Sequence, residues 1–400
     1  MKKYLLLYFF LCFAKIILAQ ETLSISGIVK DTKGEVLPGA GIYVSGYKIA
    51  TVTNNDGAFK LGLKPGNYDL LVQMIGFESQ TKNIIVSDQS ITLNISLKES
   101  MIALNEVVVK PDPNRDYYVN LFKDYFIGTT PNAMKCKMLN PSVLNIDYDE
   151  EKKILSVNCN DFLIIENKAL GYKIKYLVRD FQYNYKTNIL YFEGNPYYED
   201  LKGSKAQKKR WAKARLIAYQ GSSQQFFHSL YKGKTKEDGF IMYKLIKSLN
   251  PQRLNDSLIN AKVKKFSSAL ILGNTVSDSL NYWMKQKKMA KEISFLNKTE
   301  INPDTLTSTL NKNIKFINFT DILYVIYTKE KEDINFANQL NLSISRPLDI
   351  PDFQISLINV EIRPIYFYEN GGIYNPRSML FEGYWAWEKV ADSVPMDYVP

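Results

Sequence analysis

Short stretches of alternating apolar and polar residues dominate the first hundred positions of the chain. Residues 91–97 place Ile and Leu on one face and Thr, Asn and Ser on the other, as a half-buried strand requires. Residues 59–63 and 68–74 repeat this alternation. Turn sequences that contain glycine, such as residues 54–57, separate the runs, and such turns join strands into hairpins. The pattern predicts a small antiparallel β-sandwich between Ser24 and Leu97.

The first 19 residues have the order of charged and apolar side chains that is typical of a signal peptide. Lys2 and Lys3 precede an apolar run over residues 4–18, and a polar stretch starts at Gln20. The run is shorter than the roughly 20 residues of a spanning helix, so an uncleaved anchor is the weaker alternative. No long uncharged apolar segment follows. We therefore expect an exported protein of the periplasm or outer membrane, without a transmembrane span after cleavage.

Five short motifs within residues 22–100 together resemble a known family. They are residues 26–31, 37–40, 53–59, 66–68 and 75–77. Their sequences and spacing resemble the carboxypeptidase regulatory-like domain, a prealbumin-like, immunoglobulin-like β-sandwich of seven strands. This domain is common at the start of Gram-negative envelope proteins and TonB-dependent transporters. The resemblance implies a docking module rather than an active site, and the acidic residues in its turns are too few for a calcium site.

A β-rich linker is expected at residues 101–114. Residues 104–110 resemble the segment that joins the same module to the plug of starch-utilisation-type transporters. Here Pro111 and Pro113 follow, which indicates a stiff domain boundary. Too few alternating strands remain for a transporter barrel.

Helical and strand-like patterns alternate over residues 115–400, which predicts an α+β domain of unknown function. A further boundary near residue 250 is an alternative. Residues 160–172, 203–212 and 219–223 resemble segments of uncharacterised Gram-negative envelope proteins. The predicted fold class is therefore multidomain, with an N-terminal all-β sandwich followed by an α+β domain.

Local patterns predict several elements of this α+β domain. Phe122 and Phe126 lie with other apolar residues on one helical face, and Gly128 ends that helix. Residues 143–157 predict a hairpin around residues 149–152. Ser222 and Gln225 suit a capping box at the start of a further helix. The aromatic stretch of residues 381–387 predicts a strand that packs over a core, and an exposed row that stacks on sugar rings is the alternative.

One segment of the predicted α+β domain is strongly basic. The chain has 51 basic and 41 acidic residues, a formal net charge of +10, yet ten Lys or Arg and no acid occur between Lys202 and Lys236. The spacing of Trp211, Ala214 and Ala218 predicts an amphipathic helix. Its candidate patch for an anionic partner comprises Lys205, Lys208, Lys209, Arg210, Lys213 and Arg215.

Two interpretations of this patch remain open. One is a solvated face of a helix that packs on a sheet. The other is a docking surface for an anionic glycan, lipopolysaccharide phosphate or an acidic envelope protein. Nucleic acid does not fit an exported protein that lacks a recognised reader motif.

Cys136 and Cys159 are the cysteines that remain after signal cleavage. An oxidising periplasm allows them to form a disulfide. Two separate buried thiols are the alternative, because the sequence does not show how closely their Cα atoms approach. Neither belongs to a Cys-x-x-Cys unit, which argues against a redox or zinc role.

The residues that two common classes of hydrolase need are missing from the sequence. A zinc carboxypeptidase requires two histidines, and this chain has one, His228. No Gly-x-Ser-x-Gly elbow accompanies it. No catalytic, metal-binding or cofactor-binding residue is assigned, and no cofactor is expected. Pairs of carboxylates, as in glycosidases, stay open because their separation is not visible in a sequence.

The sequence thus favours a non-enzymatic cell-envelope protein with a β-sandwich docking module that binds a protein or glycan partner. One alternative is a hydrolase or glycan-active enzyme that uses acidic residues. Another is an accessory subunit of a TonB-dependent transporter.

Overall fold

The computed structural model describes residues 22–100, 113–272, 277–337 and 346–400. The chain is multidomain: two sheets form an N-terminal all-β sandwich, and an α+β region with three further sheets follows it. None of the helices in the described residues is long and apolar enough to cross a bilayer. The expected signal peptide (residues 1–19) and most of the expected linker (residues 101–114) lie outside the described residues.

The N-terminal sandwich confirms the predicted all-β module. In its first sheet the long strand β1 pairs antiparallel with β4 on one edge, and parallel with β7 and then β8 on the other. The second sheet has the order β3-β2-β5-β6. Apolar side chains of both sheets, among them Ile25, Ile42 and Val72, are fully buried between them. The strands are β1 (Leu23–Asp31), β2 (Gly41–Val44), β3 (Ala50–Val52), β4 (Ala58–Leu63), β5 (Gly66–Gln73), β6 (Gln80–Val86), β7 (Ile91–Thr92) and β8 (Ile95–Leu97).

A close backbone contact divides the predicted strand of residues 91–97 into β7 and β8. Leu93 N donates a hydrogen bond to Ser26 O at 2.7 Å. A Cβ atom at position 27 would lie only 1.8 Å from Leu93 O. Gly27 is therefore required where the chain crosses from β7 to β8.

The next sheet is organised by one long strand. β13 pairs with β14 along its whole length on one edge; on the other edge it pairs with β12 near its start and with β11 near its end. β9 extends the sheet beyond β12, and β10 extends it beyond β11. Its elements are α1 (Arg115–Phe126), β9 (Cys136–Met138), β10 (Leu144–Asp149), β11 (Ile154–Cys159), β12 (Leu163–Asn167), β13 (Tyr172–Asn184) and β14 (Ile189–Asp200).

Helix α1 covers one face of this sheet with the aromatic face that the sequence predicts. Phe122 and Phe126 are fully buried, and their rings stack at 4.7 Å. Phe122 also contacts Phe181 of β13 at 4.9 Å between ring centroids. The predicted hairpin around residues 149–152 is confirmed as β10 and β11, whose turn is closed by Asp149 Oδ1 accepting from Glu151 N and Lys152 N.

Two helices begin where the sequence provides capping residues. The helices that follow the sheet are α2 (Lys205–Tyr219), α3 (Ser223–Lys232) and the single turn α4 (Thr235–Asp238). Ser204 and Gln207 form a reciprocal capping box at α2. At α3, Ser222 accepts from Gln225 N as predicted, whereas the Gln225 side chain accepts from Gly221 N instead of completing the box.

Two sheets complete the α+β region. One has five antiparallel strands in the order β16-β15-β19-β20-β22, and the other has the order β17-β18-β21. They enclose an apolar core with α3, in which Phe226, Phe227 and Phe367 are fully buried. The elements are β15 (Phe240–Leu249), α5 (Asp256–Ile271), α6 (Ser277–Lys288), β16 (Glu292–Asn297), α7 (Pro303–Leu306), β17 (Thr307–Asn311), β18 (Ile314–Ile317), β19 (Ile322–Lys331), α8 (Ile334–Ala337), β20 (Phe353–Val360), β21 (Ile365–Tyr368), β22 (Met379–Gly383) and α9 (Tyr384–Trp387).

Residues 384–398, which we call the closing segment, join the separate units. Trp385 Nε1 donates to Gly221 O before α3, at 2.7 Å. Ala391 N donates to Ile127 O after α1 at 3.1 Å. Met396 N donates to Gly46 O in the sandwich at 2.8 Å. One short stretch therefore contacts the sandwich, the six-stranded sheet and the last two sheets.

The sandwich packs directly against β14. Gly46 N donates to Pro196 O at 2.6 Å, and Tyr198 N donates to Tyr47 O at 3.0 Å. The Tyr43 ring contacts those of Phe162 and Tyr197, each at 5.0 Å between centroids. The two units thus share a defined interface rather than a loose linker alone.

The candidate disulfide between Cys136 and Cys159 is not formed; both thiols are free and buried. Cys136 lies on β9 beside Asn167, which pairs with Tyr172 of β13. Cys159 instead contacts β13 at Tyr176 O and Val178 N. The positions of β13 that lie beside Cys136 and beside Cys159 are therefore at least four residues, or roughly 13 Å, apart. A disulfide requires Cα atoms within about 7 Å, so the alternative of two buried thiols is the one that the fold adopts.

We predict that a fragment of residues 22–100 folds alone as an all-β domain, because its core is complete within those residues. It should unfold at a lower temperature than the whole chain, since Leu71 is buried against the α+β region and exposing it costs about 2 kcal/mol. Circular dichroism and thermal unfolding measure both effects. A fragment without dispersed NMR signals would show that the boundary is wrong.

Candidate functional site

A large cleft opens between the six-stranded sheet and the five-stranded sheet. Its volume is about 1630 Å³, and its walls come from α1, β14, β22 and the closing segment. Mixed apolar and polar clefts of this kind are the usual position of ligand sites. The cleft is therefore the first candidate for a functional site in the described residues.

Two glycines shape the path of the closing segment along the cleft. Gly383 has a φ of +76° and turns the chain from β22 into α9. Gly128 has a φ of +107°, and a Cβ there would lie 3.1 Å from Lys389 Cβ. Gly128 also ends α1, as the sequence predicts, with its N–H donating to Lys123 O at 3.2 Å. The closing segment can therefore approach the end of α1 closely.

Asp392 anchors the closing segment beneath the cleft. Its carboxylate accepts from Thr130 Oγ1 at 3.0 Å and from Asn132 Nδ2 at 2.9 Å. Lys389 N donates to the same group at 3.3 Å. Burial raises the pKa of Asp392 to about 6, although the hydrogen bonds from Asn132 and Thr130 oppose the rise. Its hydrogen-bonding capacity is thus taken up by the protein.

Glu388 and Lys389 lie deep in the protein but keep part of their side-chain surface free, because both line the cleft. Burial raises the pKa of the Glu388 carboxyl well above its usual range, and the carboxylates of Asp392 and Glu330 raise it further. Burial lowers the pKa of the Lys389 amine to about 8. Among the described residues, the Glu388 carboxyl has no hydrogen-bond or ion-pair partner. The cleft thus contains an acid and an amine that are available to a ligand.

Aromatic side chains form much of the cleft wall. Tyr191 and Phe192 belong to β14, and Trp385 and Trp387 belong to the closing segment. The Trp387 Nε1 and Tyr324 Oη atoms are buried without a hydrogen-bond partner in the described parts of the chain. Such orphaned polar atoms are uncommon in folded proteins.

A second polar group lies where β14 meets the turn before β22. The Arg377 guanidinium bonds Asp180 at 2.6 Å and stacks over the Tyr191 ring at 3.6 Å. Tyr191 Oη in turn donates to Glu193. Tyr191 and Glu193 line the cleft, whereas Arg377 and Asp180 lie outside its lining.

The predicted basic helix exists as α2, and the structure separates its six candidate residues into two groups. Five of them are exposed and form no ion pair with any described acid: Lys205, Lys208, Lys209, Arg210 and Lys213. Lys205, Lys209 and Lys213 are spaced four residues apart, so they form one row along the helix.

Arg215 does not belong to that surface, which corrects the prediction. Its guanidinium donates to Leu170 O at 2.7 Å and to Gly171 O at 3.0 Å. It also bonds Asp200 at 2.8 Å and stacks over the Tyr172 ring at 3.8 Å. Arg215 therefore fixes α2 to the sheet and is not available to a partner.

His228 and the aromatic residues 381–387, which the sequence also singled out, are held by contacts within the protein. The His228 ring donates from Nδ1 to Glu369 O at 2.5 Å, as expected of a structural histidine. The aromatic stretch predicted as a strand over residues 381–387 becomes a helical turn at Tyr384, and Tyr384, Trp385 and Trp387 are buried. No group of three or more potential metal ligands occurs in the described ranges.

Sequence reasoning missed Glu388, Lys389 and Asp392. Their neighbours in space, such as Thr130 and Asn132, are about 260 residues away in the chain. The one available signal was three charged residues within five positions of the end of an aromatic stretch.

We predict that Glu388→Gln stabilises the protein at high pH. A raised folded-state pKa means that Glu388 contributes stability below its unfolded pKa, and this stability is lost as the pH rises through the folded pKa. The midpoint of the variant should therefore rise relative to the wild type as the pH increases above about 4. Thermal unfolding across this range measures the difference. A difference that does not change with pH would contradict the burial of the charge.

Comparison with known proteins identifies the N-terminal module. The sequence model of the CarboxypepD_reg-like domain matches residues 25–109. The TonB-dependent receptor SusC of Bacteroides thetaiotaomicron is 31% identical over 143 residues, which are 36% of this chain and 12% of the receptor. The TonB-dependent receptor P39 of Formosa agariphila is 31% identical over 85 residues, 21% of this chain and 8% of that receptor.

Among solved structures, the wild-type catechol 1,2-dioxygenase from Acinetobacter radioresistens is similar to part of the chain. It has 14% identity and a TM-score of 0.19, and the match covers 23% of this chain and 56% of the dioxygenase. The chain spans only about a tenth of the length of the two receptors. The resemblance in the sequence is nevertheless confirmed: residues 25–109 are a CarboxypepD_reg-like domain, homologous to the N-terminal regions of TonB-dependent receptors.

Proposed function

We propose that this protein is a non-enzymatic cell-envelope protein that binds a glycan in the cleft beside the closing segment. The observation that carries the proposal is the Glu388 carboxyl, which faces the cleft and has no partner in the described residues. Glu388 is half-buried and no described protein group bonds its carboxyl, so this carboxyl can hydrogen-bond a ligand that enters the cleft.

A glycan matches the chemistry of the cleft wall. A sugar ring has an apolar face of C–H groups and an edge of hydroxyl groups. Tyr191 and Phe192 supply aromatic side chains, while Glu388 and Lys389 supply hydrogen-bonding groups. Ligand sites commonly combine apolar walls with a few convergent polar groups in this way.

The hydrolase alternative rests on the Glu388 and Asp392 carboxyls. A glycosidase uses two carboxyl groups, one as acid and the other as base or nucleophile. Asp392 is a poor candidate for the second role, because Thr130, Asn132 and the Lys389 N–H already occupy it. We therefore favour binding over catalysis.

The CarboxypepD_reg-like domain supports an envelope location, because its curated relatives are TonB-dependent receptors. In this proposal the protein is exported to the periplasm or outer membrane, and the sandwich holds the α+β region beside an envelope partner. An accessory subunit of such a receptor is a variant of the same proposal.

The exposed row on α2 favours a second candidate function, attraction of a polyanion. Lys205, Lys209 and Lys213 lie on one exposed face without described ion pairs. Several such charges acting on one polyanion give an attraction that falls with salt. The partner would be an anionic glycan or lipopolysaccharide phosphate.

We predict that glycan-array screening of the mature protein identifies a ligand, and that Glu388→Leu weakens its binding about tenfold, because leaving a polar group of the bound ligand without its partner costs about 1–3 kcal/mol. Isothermal titration measures the affinity. Glu237→Leu, which removes an exposed carboxylate that is not part of the cleft lining, is the matched control. Unchanged affinity of a folded Glu388→Leu variant would contradict the proposed site.

The same samples distinguish binding from hydrolysis. Mass spectrometry of the glycan after prolonged incubation should show it intact. Shortened products with the wild type, and not with Glu388→Leu, would establish the hydrolase alternative instead.

We also predict that reversing Lys205, Lys209 and Lys213 to Glu removes most binding to heparin at low salt, since the three charges act together. The thermal midpoint should hardly change, because all three side chains are exposed. Reversing Lys30, Lys60 and Lys64, which are exposed on the sandwich, is the control. Equal loss in both variants would mean that only net charge matters.

A further inference from the structure

A projecting arm leaves the five-stranded sheet at its edge. β15 and β16 pair as far as Leu249 and Glu292, and helices α5 and α6 lie between them in the chain and pack against each other. We call residues 249–272 and 277–295 the arm. Residue 250, where the sequence offered an alternative domain boundary, is the point at which the chain leaves β15 for these helices.

The base of the arm is held firmly. The Gln286 side chain accepts from Leu254 N at 3.0 Å and donates to Gln252 O at 3.2 Å. Arg253 Nε donates to Met289 O at 2.9 Å, and Asn250 Nδ2 donates to Ala290 O at 3.0 Å. These bonds fix both helices to the end of the β15–β16 hairpin.

Few side chains of the arm are buried beyond its base. Ile259 of α5 and Gln286 of α6 are its buried side chains among the described residues. By contrast, ten of the 25 exposed large apolar side chains in the described chain belong to the arm. They are Leu249, Leu254, Leu258, Leu270, Ile271, Leu272, Tyr282, Met284, Ile293 and Phe295.

Three of these ten apolar side chains form a cluster at the end of α5. Ile271 is 85% exposed and Leu272 is 79% exposed, next to the exposed Leu270. The 16 residues of α5 extend about 24 Å, so this end lies far from the base at Arg253. Exposed apolar groups in such a cluster mark an interaction surface.

The arm is also strongly basic. It carries eight Lys or Arg against the acids Asp256, Asp278 and Glu292, a net charge of +5, which is half of the +10 of the whole chain. Arg253 and Lys291 are paired with Asp256. Six lysines have no ion pair with a described acid: Lys262, Lys264, Lys265, Lys285, Lys287 and Lys288.

The order of these groups along α5 matches a lipid interface. Lys264 and Lys265 precede Ile271 by six or seven residues, about 10 Å along the helix axis. Lysines at that depth reach phosphate headgroups while the apolar side chains enter the acyl boundary. The positive charge complements anionic lipid, which attracts basic segments close to a membrane.

We propose that the arm docks on the surface of an anionic phospholipid bilayer, with Leu270, Ile271 and Leu272 inserted and the lysines of α5 and α6 on the headgroups. This places the protein at a membrane independently of any ligand in the cleft. A protein partner would cover the same apolar cluster without requiring anionic lipid, and the test separates the two.

The test is flotation of the purified whole protein with vesicles of phosphatidylglycerol and phosphatidylcholine, and with vesicles of phosphatidylcholine alone. We expect binding to the anionic vesicles only. Absence of binding, or equal binding to neutral vesicles, would overturn the proposal.

Two variants test the parts of the arm separately. Ile271→Ser with Leu272→Ser should weaken vesicle binding at least tenfold, and so should Lys264→Glu with Lys265→Glu. Ile75→Ser, which removes a 93% exposed apolar side chain of the sandwich, is the control and should bind as the wild type does. Wild-type binding by both arm variants, with circular dichroism showing that they fold, would reject the arm as the lipid site.

Discussion

The buried Asp392 carboxylate is the constraint on which the arrangement of the α+β region depends. A desolvated carboxylate must be hydrogen-bonded, and Thr130 and Asn132 supply those bonds from a turn after α1. The neighbouring Ala391 is fixed from both sides, by Ile127 O and by the Asn167 side chain. The position of residues 390–393 therefore fixes where the sandwich, which contacts Met396, lies relative to the other sheets.

The same geometry accounts for the shifted pKa values of Glu388 and Lys389 in the cleft. Next to the fixed Asp392, Glu388 and Lys389 are held half-buried in the wall of the cleft. Burial consequently raises the pKa of Glu388 and lowers the pKa of Lys389, and both shifts favour the neutral form of the side chain. Ionisable groups perturbed by burial in a concave site are characteristic of functional sites, so one segment serves both as the structural connection and as the floor of the proposed ligand site.

The parts of the structure that follow from local pattern could be predicted from the sequence. Strand alternation and Gly turns predicted the sandwich, and helical spacing predicted the buried face of α1 at Phe122 and Phe126. Ser222 predicted the start of α3. These features depend on contacts between near neighbours in the chain.

The features that sequence reasoning missed depend on distant contacts. Arg215 was assigned to the exposed face of α2, but the carbonyls of Leu170 and Gly171 draw its guanidinium inward. Cys136 and Cys159 lie apart because β11 and β12 pair with different parts of β13. The spacing of the two cysteines in the sequence does not reveal this separation. The cleft exists only because residues 384–398 return to α1 and to the sandwich.

Scanning calorimetry of the whole chain and of a chain without residues 390–400 tests this account most directly. The whole chain should unfold in one cooperative transition, because the closing segment couples its units. Without residues 390–400, the sandwich should unfold in a separate transition from a destabilised α+β region. An unchanged single transition in the shortened chain would contradict the central role of the closing segment.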